Sequence, residues 1–184
     1  MNRMQKSGFV LLFFSLMSQS GWNSCLADDN SHHDTHRKHT EKESKHHLPP
    51  VANPIYQESC GACHFAYQPQ LLPAASWQAI LDNQTDHFGE SLELNSNARS
   101  AIAAYLQANS ADKSGAKRAV KIMRSLGNGV PQRITDIPYI REKHHEISAQ
   151  VFARPAIASP ANCPACHTTA EQGLYDDDSV MIPQ

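Results

Sequence analysis

Apolar and polar positions divide the chain into three stretches of different character. Gly8 to Met17 is a ten-residue, predominantly apolar run behind Arg3 and Lys6, and Cys25-Leu26-Ala27 follows it with small residues suited to cleavage. The run is shorter than the roughly 20 residues a membrane-spanning helix needs, so residues 1–27 read as an export signal and not as a stable membrane anchor. Trp22, Asn23 and Ser24 are too bulky and polar for a lipoprotein signal at Cys25, so that cysteine is discarded with the leader. Residues 28–50 reverse the pattern: almost no apolar side chain, dense mixed charge and a closing Pro49-Pro50. Such a segment cannot build a core and reads as a solvated, disordered tether.

From residue 51 onward, helical periodicity returns. Ser76 to Asp86 reads as a helix capped by Ser76, and Ala98 to Ala108 places Ala98, Ile102, Tyr105 and Leu106 on one face. A basic helix near Ser114 to Leu126 is expected to turn Val120 and Met123 to the core, before Gly127, Gly129 and Pro131 break it. In the segment REKHHEISAQVF, Ile140, His144, Ile147 and Val151 share a face, while His145 points about 100° away. No stretch alternates as a strand does, and the acidic tail LYDDDSVMIPQ is expected to fray. The fold class is therefore mainly α.

Composition adds little until histidine and cysteine are counted. The chain has 184 residues, 40% of them hydrophobic and 18% charged, with 16 Lys and Arg against 18 Asp and Glu. This is enough for one compact domain or two small ones, and the near-neutral balance offers no field for nucleic acid. Eleven histidines and five cysteines are the unusual counts, and six of the histidines (His32, His33, His36, His39, His46, His47) lie in the tether. Loose zinc, copper or nickel binding there is the alternative to a plain linker, but no carboxylate or thiolate stands at closed-site spacing.

The four cysteines left after export form two identical motifs, Cys60-Gly61-Ala62-Cys63-His64 and Cys163-Pro164-Ala165-Cys166-His167. C-x-x-C-H is the attachment signature of c-type haem: two thiols add across the two porphyrin vinyl groups, and the adjacent histidine lies beneath the iron. A thioredoxin-like pair calls for a βαβ context, and a four-cysteine zinc site for about 15–20 residues between pairs. Here no βαβ pattern is present and 99 residues separate Cys63 from Cys163. A disulfide within each motif would be strained. Two covalently attached haems are expected.

The sixth ligand of each iron separates electron carriage from chemistry on a bound molecule. Outside the tether and the two motifs only His87, His144 and His145 remain; His87 follows His64 by 23 residues and His144 precedes His167 by the same number. Phe88-Gly89 just after His87 is a turn able to aim its imidazole inward. The helical face favours His144 over His145, which stays the alternative, and Met123 is the thioether rival, more simply read as core.

These residues also carry a family resemblance. The run YQESCGACHFAYQPQLLPAASWQAILDNQTDHFGE, the later RIT-x-x-P with KHHEI, and SPANCPACHTTAEQG resemble the periplasmic dihaem cytochrome c family from about Pro54 to Gly173. The resemblance implies a small electron-transfer protein with two bis-histidine haems: His64 and His87 on the first iron, His167 and His144 on the second. It implies two small haem-wrapping halves, the first like a class I cytochrome c and the second irregular with few helices. It further implies a small oxygen-binding cytochrome c as electron acceptor and a membrane b-type cytochrome as donor. We expect residues 51–112 to hold the first haem, and residues 113–184 to hold the connector helix and the second. The competing class is a dihaem enzyme, a peroxidase or small-molecule reductase with one open iron; a haem-based sensor would need an output domain for which there is no room.

Replacing His144 by alanine discriminates the two candidate ligands of the second iron. Loss of a low-spin signal from that iron is expected, and a haem spectrum left low-spin assigns the position to His145.

Overall fold

Local signals start each helix of the computed structural model, which describes residues 47–184. The expected signal segment and the tether up to residue 46 lie outside the described residues. Helix α1 (Pro54–Cys60) begins where Asn53 accepts a hydrogen bond from the Tyr56 amide at 2.8 Å, with proline in the first turn where a missing N–H costs nothing. Helices α2 (Ala74–Asp82) and α3 (Ser96–Asn109) follow, then α4 (Lys117–Leu126), α5 (Pro138–Lys143) and the single turn α6 (Ala149–Phe152). Short 3₁₀ turns link them, and among the described residues only one isolated β-bridge, His87 with Glu90, interrupts the helical character.

Three helix readings need correction. The α2 helix starts at Ala74, not at a Ser76 cap: Pro73 presets the entry, and Asp112 reaches across to accept from the Ala74 amide at 2.7 Å. Ser76 is instead fully buried inside the helix. In α4 the inward residues are Ala119 and Ile122, both fully buried, whereas Val120 is 41% exposed; Met123 only flanks the core. The shared face expected from Ile140 to Val151 is not one helix, because α5 stops at Lys143. The reason is local competition for carbonyls. His144 Nδ1 bonds the Ile140 carbonyl at 2.8 Å and His145 Nδ1 bonds the Glu142 carbonyl at 2.6 Å, so side chains occupy acceptors that the next helical turn would have used.

One hydrophobic cluster runs through both motif-bearing parts of the chain. Tyr56, Trp77, Ile102 and Leu106 meet where α1 and α2 cross α3, and Ile122, Ile137, Ala170 and Tyr175 continue the same cluster. Tyr56 packs edge-on to Trp77 at 6.4 Å and tilted against Tyr105 at 5.6 Å.

Both ends of the described chain are bound into this body. The tether boundary falls earlier than Pro50: Leu48 is 1% exposed and donates its amide to the Gly173 carbonyl at 3.0 Å. The tail is not frayed as expected. Tyr175 is buried, Met181 donates to the Cys166 carbonyl at 3.0 Å, and Arg154 holds the Pro183 carbonyl at 2.7 Å. Hydrophobic docking of Tyr175 overrides the acidic composition around it. Among the described residues no helix is long and apolar enough to cross a membrane.

Gly173 makes the docking of the two ends testable. Its φ is +77°, and a Cβ there would lie 1.9 Å from the Leu48 carbonyl oxygen. Gly173→Ala is expected to cost at least about 1–3 kcal/mol, seen as a lowered thermal midpoint. Gly115→Ala, with open space around it, should stay within about 0.5 kcal/mol of the unaltered protein.

Candidate haem-iron centres

The first centre grows from the C-terminal end of α1. Cys60 closes the helix, residues 61–63 turn, and His64 emerges with its Nδ1–H donating to the Phe65 carbonyl at 2.8 Å. That bond fixes the tautomer and leaves the Nε2 lone pair free to bind a metal. His87 arrives from the turn after α2, and the two rings face each other with centroids 6.3 Å apart and planes 23° from parallel.

The second centre is built differently and ends in the same relation. A 3₁₀ turn, Cys163–Ala165, presents His167, whose amide closes back on the Cys163 carbonyl at 2.8 Å. Asn162 steadies the approach by donating to the Ile157 carbonyl at 2.9 Å. The break after α5 puts His144 opposite: ring centroids are 6.1 Å apart, with planes at 74°. His144 Nδ1–H donates to the Ile140 carbonyl, so its Nε2 is the free nitrogen. His145 faces away, 62% exposed beside Glu146, in an open groove with Pro138, Arg141 and Glu142.

The residues fit a metal between each pair. Imidazole nitrogens lie about 2.0–2.1 Å from a first-row metal such as zinc, so two rings flanking one ion have centres just over about 6 Å apart. Both pairs match that spacing. Burial first, then the facing His64 imidazole and the Arg133 guanidinium, holds His87 below the ordinary imidazole pKa; burial, His144 and Arg118 do the same for His167. These rings stay neutral and able to donate a lone pair. His167 Nδ1 is buried with no partner in the protein.

The thiols also suit covalent attachment. All four described cysteines are free and so available for thioether bonds, while burial pushes the Cys60 and Cys163 thiols up to about 11. No disulfide forms within either motif. Among the described residues no group of three or more His, Cys, Asp or Glu converges as a closed metal site would require, which removes the four-cysteine zinc alternative.

Several residues at the centres carry no sequence signal. Tyr67 stacks tilted on His64 at 5.1 Å and donates its hydroxyl to the Ala161 carbonyl, just before the second motif, at 2.7 Å. Tyr175 lies edge-on to His167 at 5.5 Å and bonds the fully buried Gln68, which donates in turn to the Ala170 carbonyl at 2.7 Å. Arg118 donates to the Tyr175 carbonyl at 2.8 Å, with its guanidinium over that ring. Tyr175 sits in a stretch whose composition points to a loose tail, and nothing in the sequence marks Gln68 as buried.

A helical chain with two attachment motifs, each facing a second imidazole, defines a dihaem c-type cytochrome. The family model for dihaem cytochrome c matches residues 56–175, and the chain belongs to that family. Two covalently attached haem c groups are its cofactors. A diheme cytochrome c from Rhodobacter sphaeroides is 42% identical with a TM-score of 0.62, covering 70% of this chain and all of its own. One from Shewanella baltica is 34% identical with a TM-score of 0.58, covering 71% of this chain and 93% of its own. No curated protein matches the chain.

The two ring angles give a spectroscopic expectation. Near-parallel imidazoles act on one iron d orbital and split it from its neighbour, whereas crossed rings act on both and leave them nearly degenerate. With each pair on one iron, low-temperature electron paramagnetic resonance of the oxidised, haem-loaded protein would show one rhombic low-spin signal and one highly anisotropic signal at low field; a high-spin signal would show that a pair does not close its iron. His144→Ala should remove the latter and leave the former.

Proposed function

We propose that the protein is an electron carrier, not an enzyme, and that both of its irons are closed by histidine on either side. The observation that supports this reading most is the repeated spacing: His64 with His87 and His167 with His144 have ring centres 6.3 and 6.1 Å apart. Met123 flanks the hydrophobic core, which suits a packing role and leaves ligation to imidazole.

Each haem supplies an iron that takes up and releases one electron. The polypeptide's part is to hold the ligands still. The Phe65 and Ile140 carbonyls orient His64 and His144 through their Nδ1–H groups, so that Nε2 would be the nitrogen each ring offers to an iron. Bis-imidazole ligation lacks the thioether that raises the potential of Met/His cytochromes, so both centres should work at lower potentials than that class.

The export signal read in residues 1–27 places the protein in the periplasm under this proposal. Its partners are redox proteins, an oxygen-binding small cytochrome c as acceptor and a membrane b-type cytochrome as donor being the kinds the resemblance implies. Their encounters would be transient and small in area, as is usual for redox pairs.

Carbon monoxide added to the reduced protein tests the closed irons. No optical shift on mixing, with two one-electron steps in a redox titration, is expected of a carrier. A high-spin spectrum or an immediate shift at either iron establishes an open position and the enzyme reading in place of this one.

A further inference from the structure

His87 rides on an unusual turn. Its amide donates to the Glu90 carbonyl at 2.6 Å and the Glu90 amide returns to the His87 carbonyl at 3.2 Å, leaving Phe88 and Gly89 as the two turn residues. Both have positive φ, +59° and +102°. A two-residue hairpin of this kind favours Asn-Gly, and a bulky aromatic in the left-handed region persists only where its surroundings hold it there. Asp86 supplies one restraint, accepting from the Gly89 amide at 3.0 Å.

The other restraint comes from a distant part of the chain. Phe88 is 44% exposed, yet its ring is covered by the Arg133 guanidinium, whose carbon lies 4.0 Å from the ring centre. This is well inside the range of a cation–π contact. Arg133 belongs to the segment that follows α4 and opens the Ile134–Asp136 turn, and Ile137 just beyond that turn is fully buried in the common core. The guanidinium therefore has a fixed base from which to press on a strained, exposed turn.

We propose that Arg133 is a positioning residue for His87: by clamping the Phe88 ring it holds the strained turn, and so keeps the His87 imidazole aligned with His64. The inference rests on His87 being the sixth ligand. It adds that the ligand geometry of the first iron is set from the chain segment leading to the second. Both side chains are exposed, so their replacement leaves the core intact.

The test uses the haem-loaded protein, with Arg133→Ala, Phe88→Leu, the double variant and Arg133→Lys. In the first two, the rhombic resonance signal of the near-parallel pair should shift and broaden, while the signal of the crossed pair stays unchanged. Slow carbon monoxide uptake at the first reduced iron, limited by His87 release, should quicken about two- to fivefold, the change in population that a surface cation–π contact supports. The double variant should match either single one, since both break the same contact, and Arg133→Lys should keep the unaltered signal. An unchanged rhombic signal in both single variants, or effects that add in the double, overturns the clamp. If the unaltered protein has no low-spin signal from the first iron, it is the ligation by His87 that fails.

Discussion

The constraint on which this fold turns is the holding of two imidazoles, 23 residues apart in the chain, with ring centres about six ångströms apart, and it is met twice, at 6.3 Å and at 6.1 Å. A free histidine side chain samples several rotamers, and fixing it costs conformational entropy. The protein meets that cost by local means. At His64 and His144, a neighbouring carbonyl takes the Nδ1 proton and sets the ring. At His87, a hairpin turn aims it. At His167, the ring is packed edge-on to Tyr175. Four histidines thus have three different supports.

The two centres are not independent modules strung on one chain. Tyr67, which touches the His64 ring, bonds the turn that precedes the second motif, and Gln68 joins Ala170 to Tyr175 beside His167. Both links are buried or half-buried and fully bonded. Buried polar groups of this kind are costly unless satisfied, so they fix the relative placement of the two motifs more sharply than apolar packing would. The Leu48 and Met181 hydrogen bonds add both ends of the described residues to the same frame.

Much of the site was legible from residue type and spacing. The two C-x-x-C-H motifs carry their own chemistry, and once they are subtracted only three candidate imidazoles remain outside the tether. The structure brings His87 to His64 and His144, not His145, to His167. The helical-face reasoning behind His144 nevertheless used a helix that does not exist: the break at Lys143 comes from side chains competing for carbonyls, which periodicity cannot register. Helix existence was readable for α2, α3 and α4, and so was the α3 face with Ile102 and Leu106 buried, while the α2 start depends on Asp112 from across the fold and the α4 face turned inward at Ala119 and Ile122. The docked tail and the buried Gln68 were illegible for the same reason: a single tertiary contact reverses what local composition suggests.

The near-infrared magnetic circular dichroism of the oxidised, haem-loaded protein reads the axial ligands of low-spin ferric haem directly, through a charge-transfer band whose position differs between imidazole and thioether. If both irons lie between paired histidines, the whole intensity for two haems per chain falls at the bis-imidazole position. A band at the histidine–methionine position, or a high-spin band carrying half the intensity, would contradict it.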